Sequence, residues 1–231
     1  MFYLYSEYDP YKYGSFAVNA GDQIHRLTKV IDQRMGELSK DGAGVRLPPI
    51  LAFQSLADAT VSTVDLVKVL FRRLAPNGHR LVVFDINRYE ELEILMKPGV
   101  RLPAERLLAG PVLPFEFVLL TNTDAHYRTM VAQRRPAGSS QVLTDPTGLA
   151  WPEGIYSLSH VALPIPPEDP LYGAVRPAGS RVLYLGRPAL LGERGLLAVP
   201  ATDLMRLRFN PFFSYMDESI GNFLNSAYGN R

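Results

Sequence analysis

Two short apolar runs separated by a capped helical segment set the strongest limit on how this chain can fold. Residues 50–53, Ile-Leu-Ala-Phe, and residues 80–86, Arg-Leu-Val-Val-Phe-Asp-Ile, are bounded by turn formers and rich in strand-favouring side chains. Between them Ser62-Thr-Val-Asp65 has the spacing of a helix N-cap with an acid three positions on. Val64, Val67, Phe71 and Leu74 then fall on one face, and Pro76-Asn77-Gly78 ends the segment. Strand, helix and strand in this order predict one right-handed βαβ unit. Parallel strands need long crossovers and cover on both faces, so the expected class is α/β, a mainly parallel sheet flanked by helices.

In an open parallel sheet the loops at the carboxyl ends of the strands meet in one crevice. Asp58 lies in the loop after the first run, four residues before Ser62. His160 follows a further strand-like run, Ile155-Tyr-Ser-Leu-Ser159. An acid and a histidine so placed can touch although they are distant in sequence. Together they make the acid–histidine half of a hydrolase triad, in which a carboxylate orients an imidazole that accepts the proton of a nucleophile. The nucleophile half is absent, because the chain holds no Gly-x-Ser-x-Gly and no cysteine.

Each assignment has a plainer competitor. Asp58 could be a polar residue near a helix start, where an acid gains up to ~1 kcal/mol from the helix dipole. Asp85 also lies near a strand end but lacks a small-residue turn after it. His160 could be structural, bonded to a loop carbonyl, and His126 follows the strand candidate at 115–120. His25, within a predicted helix, and His79, in a turn before a strand, read as surface or packing residues.

Elsewhere the order is coarser. Seven aromatic residues between positions 2 and 16 precede a helix over 22–38, where Ile24, Leu27, Ile31, Met35 and Leu38 form an apolar face. The aromatics could line an acyl pocket, although such clusters commonly pack a core. Residues 132–154 are dominated by turn formers. Residues 155–163 carry His160 into the proline-rich loop 164–170, and residues 212–228 have the spacing of a terminal helix. The chain reads as a single domain over 1–231, with 1–20 as an entering connection and 164–231 as a Pro/Gly-rich extension ending in a helix.

Composition removes several functions. A net charge of +1 gives no field to gather phosphates, so no nucleic-acid partner is expected, and Arg72-Arg73 and Arg134-Arg135 read as surface pairs. No run approaches the ~20 apolar residues of a membrane span. The absence of cysteine excludes disulfides and thiolate metal sites and fits a reducing, cytoplasmic setting. No histidine pair at i and i+4, no calcium-loop spacing and neither glycine-rich nucleotide motif occurs, so no metal and no cofactor is expected.

Three segments carry a family resemblance. Pro49-Ile-Leu-Ala-Phe-Gln-Ser-Leu-Ala-Asp58-Ala-Thr-Val looks like the acid strand and loop of a serine α/β-hydrolase of the bacterial esterase or lysophospholipase-like kind. Ser159-His160-Val-Ala-Leu-Pro looks like the late histidine loop of that family. Asp9-Pro-Tyr-Lys-Tyr-Gly-Ser-Phe-Ala-Val-Asn19 is similar to the segment joining cap and core in some of its members. The resemblance runs from residue 1 to about 170 and covers the C-terminal portion of the family's fold. It implies that Asp58 and His160 are triad members, that the substrate is a small carboxylic ester, and that the nucleophile elbow and oxyanion loop lie upstream of residue 1. The alternative is a catalytically inactive, truncated domain used as a binding module. Either way, an uncovered sheet edge would favour self-association or association with an N-terminal segment.

Overall fold

The computed structural model describes residues 18–58, 60–89, 96–97, 102–179, 184–186, 191–192, 196 and 207–228. The aromatic N-terminal segment, and nearly all of the segment likened to a cap connection, lie outside them.

The two apolar runs form β1 (Leu51–Ser55) and β2 (Arg80–Phe84), paired in parallel with Leu51 opposite Arg80 and Ser55 opposite Phe84. Between them lies α2 (Thr63–Val69), continued by a 3-10 turn at Phe71–Arg73. The Ser62 side chain accepts the Asp65 N–H, as its spacing predicts. Val67, Phe71 and Leu74 face the core, whereas Val64 is exposed. After α3 (Leu102–Ala109), β3 (Glu116–Asn122) pairs in parallel with β2.

The chain then reverses. Residues 132–154, expected to be turns, instead contain most of an antiparallel hairpin, β4 (Thr129–Arg135) and β5 (Leu143–Ala150). The sheet is therefore mixed, in sequence order β1-β2-β3-β4-β5. Pro146 and Gly148 made β5 look like a loop. It lies at the end of the sheet, where a strand tolerates a missing amide donor.

Alternate residues of the parallel strands serve two cores. Leu81, Val83, Phe117 and Leu119 pack with Val67 and Phe71 of the α2 segment, with Ala104 and Leu107 of α3, and with Met35 of α1 (Val18–Leu38). Val82, Phe84, Val118 and Leu120 pack on the other face with Trp151, Ile155, Leu158 and Phe212, and with Met216 of α4 (Phe213–Tyr228). The Phe212 ring lies parallel to Phe84 and meets the edge of Trp151 at 4.8 Å between centroids. Each such buried ring contributes roughly 1.5–3 kcal/mol of transfer free energy, so the two sides hold the strand ends in fixed relation.

Only part of α1 joins this packing. Met35 is buried and Arg73 bonds Asp32, but Ile24, Leu27, Ile31 and Leu38 are exposed. The apolar face predicted from spacing exists, with no described residue covering most of it.

Candidate functional site: an acid–histidine pair

β1 delivers its acid through a tightly bonded turn. Beyond Ser55 the Leu56 N–H still reaches the Phe84 carbonyl, and the Asp58 N–H closes back on Ser55 at 3.1 Å. The carboxylate then organises the loop that follows. Asp58 Oδ1 accepts the N–H groups of Thr60 at 2.7 Å and Val61 at 3.0 Å, the local bonding that makes aspartate a turn former. Gln54, buried on β1, donates its amide to Asp58 Oδ2 at 3.0 Å and to the Val61 carbonyl at 2.8 Å. One amide thereby ties the acid to the far end of its own loop.

The histidine segment is not a strand. Residues 155–159 make one parallel bridge, between Ile155 and Leu191, and His160 opens a 3-10 turn, His160–Ala162. Its backbone is held by polar groups from the strand ends. Asn87 Nδ2 donates to the Ile155 carbonyl, Asn87 N–H to Tyr156, and Ser55 Oγ to Leu158. Beyond the turn, Asn210 bonds the carbonyls of Leu163 and Ile165.

These anchors bring the two predicted residues together. Asp58 Oδ1 lies 3.5 Å from His160 Nδ1, and the acid side chain is 6 % exposed while the imidazole is 22 % exposed. That separation is an ion-pair distance, longer than the ~2.7–3.2 Å of a well-formed N–H···O bond. His160 Nε2 meets the Thr60 hydroxyl at 3.5 Å.

The rival residues serve other ends. Asp85 is fully buried and accepts from Ile86 N–H, Thr121 Oγ1 and Arg88 Nε, so its carboxylate is committed to the ends of β2 and β3. His126 is exposed in the β3–β4 turn, and His25 is exposed on α1. His79 is buried, and its Nδ1 accepts the Ile50 N–H at 3.1 Å. Burial pushes its pKa below the ordinary histidine value, opposed in part by the Ala75 backbone.

Gln54, Ser55 and Thr60 escaped the sequence reading, since a lone polar residue in or after a strand carries no periodic signal. The described residues include no group of three or more His, Asp or Glu placed to hold a metal ion, and no helix long and apolar enough to cross a membrane.

Fold and site together define an α/β protein with an acid–histidine pair at the carboxyl end of a parallel strand. Comparison with protein-family models, curated proteins and solved structures finds no match to the chain.

Proposed function

We propose that this chain supplies the acid and the base of a Ser-His-Asp triad in a carboxylic-ester hydrolase whose nucleophile lies on a segment outside it. The observation that carries the reading is the approach of Asp58 Oδ1 to His160 Nδ1, made by two loops that only the fold brings together. In this role Asp58 favours the tautomer with the proton on Nδ1, which leaves Nε2 to act as base. A nucleophilic hydroxyl gives its proton to Nε2 as its oxygen attacks the ester carbonyl. The same proton passes to the departing alkoxide, leaving an acyl-enzyme. Water then repeats the cycle, releasing the carboxylic acid.

The exposed apolar face of α1 favours a second reading, a non-catalytic interaction module. One experiment separates the two. The chain is co-expressed with the polypeptide encoded directly upstream in the same frame, and hydrolysis of p-nitrophenyl esters is followed. The hydrolase reading expects turnover that Asp58→Asn and His160→Ala abolish. Turnover unaffected by His160→Ala, or none from a complex containing Gly-x-Ser-x-Gly, overturns it.

A further inference from the structure

The two nitrogens of His160 face partners from a single loop. Asp58 Oδ1 stands 3.5 Å from Nδ1, and the Thr60 hydroxyl stands 3.5 Å from Nε2. The loop itself is short and closed, since the Thr60 N–H bonds Asp58 Oδ1 at 2.7 Å. The in-plane directions of the two ring nitrogens diverge to opposite sides of an imidazole. Two partners so near each other cannot both lie along those directions, and a ring drawn to one turns away from the other. Both separations are 3.5 Å, so the ring is shared between the two partners and each contact is longer than a well-formed hydrogen bond.

We propose that Thr60 is a positioning residue that latches His160 in a resting pose, its hydroxyl standing at Nε2 where the hydroxyl of the nucleophile has to come. The inference rests on the triad reading above. Arrival of the nucleophile at Nε2 displaces Thr60, the ring turns, and Nδ1 closes on Asp58. Catalytic alignment is thereby coupled to the presence of the nucleophile. Without it the base is held against a hydroxyl on the acid's loop. Thr60 is exposed, so its side chain can swing away without opening the core, while its backbone N–H keeps the acid loop closed.

The test uses this chain, isotope-labelled at histidine, with Thr60→Val, Thr60→Ser and Asp58→Asn. Valine keeps the shape and the backbone N–H but removes the hydroxyl. With the latch gone, the Nδ1 proton of His160 is expected to move downfield as the ring closes on Asp58. Thr60→Ser is expected to restore the parent spectrum, which a purely structural role for the threonine methyl would not do. An Nδ1 resonance unchanged in Thr60→Val, or a serine variant behaving like the valine one, overturns the latch. Asp58→Asn reads the underlying pair separately. If the Nδ1 resonance of His160 is unchanged there, the acid–base reading fails, and with it the latch. If it moves upfield there but Thr60→Val has no effect, the pair stands and the latch alone is rejected.

Discussion

Ser55 Oγ, at the end of β1, donates a 2.8 Å hydrogen bond to the carbonyl of Leu158, two residues before His160. The strand that carries the acid thus holds the segment that carries the histidine. Both Ser55 and Leu158 are fully buried, so no water replaces the bond when it is lost. Ser55→Ala leaves the carbonyl without this donor and is expected to cost about 1–3 kcal/mol in urea unfolding. The His160 ring resonances should shift with it. Unchanged His160 resonances would show that the other anchors of the histidine loop position it without this bond.

Gln54 is expected to act on the acid itself. Its amide occupies Asp58 Oδ2 and leaves Oδ1 to the loop amides and His160. Gln54→Glu replaces that donor by a second carboxylate at hydrogen-bonding distance, where like charges repel. The carboxyl carbon resonance of Asp58 should shift in the variant, and with it the Thr60 and Val61 amide resonances that the acid holds. Unshifted resonances would mean that the new carboxylate turns away and that the amide contact does not control the acid.

His79 gives the fold a pH dependence of known sign. Burial lowers its pKa, so between the folded value and the ordinary value of about 6.5 the unfolded chain binds a proton that the native protein does not. The associated stability is present above that ordinary value and is lost as pH falls through this window. His79→Gln keeps an acceptor for the Ile50 N–H and removes the titration. Urea midpoints between pH 5 and 8 should fall less steeply with acid in the variant, and equal slopes would refute the assignment.

The parallel core was legible because each step had its own local signal: apolar runs for β1 and β2, and a Ser62 cap for α2. The meeting of Asp58 and His160 was expected because loops at the carboxyl ends of strands share a crevice, yet only Asp58 follows a strand, and His160 is brought to it by Ser55 and Asn87 bonding its segment. The hairpin was not legible. In β5 the pattern of Leu143, Asp145, Pro146 and Gly148 imitates a loop, and its place at the end of the sheet is what tolerates those residues. Residues 155–159 failed in the opposite sense, since an apolar stretch reads as a strand whether its backbone bonds a ladder or, as here, asparagine and serine side chains. Thr60 could not be read at all, because its contact with His160 spans 100 residues and leaves no trace in local pattern.

Arg135 is buried, and its guanidinium donates to three backbone carbonyls: Leu107 and Gly110 at the end of α3, and Ser139 after β4. A cation at a helix C-terminus suits both the free carbonyls and the dipole. Arg135→Met fills similar space but removes every donor, and is expected to destabilise by about 2–4 kcal/mol. Arg135→Lys should recover part of this, because an ammonium donates from a single point and cannot span the three acceptors. A lysine variant as stable as the parent would show that charge at the helix end matters and the planar fork does not.

The α1 helix makes the last prediction. Its Ile24 is 62 % exposed and its Leu27 59 %, on the same face as the half-exposed Ile31, while the helix is fixed to the body at its other end by Met35 and the Arg73–Asp32 pair. Apolar side chains on a fixed helix lose no backbone entropy when another surface covers them, so burial there favours association. The isolated chain is expected to self-associate in sedimentation equilibrium, with an apparent mass that rises with concentration. Ile24→Lys combined with Leu27→Glu should return it to the monomer mass without lowering its melting temperature, since neither side chain is buried. A parent chain that remains monomeric at all concentrations would show that this face does not drive self-association.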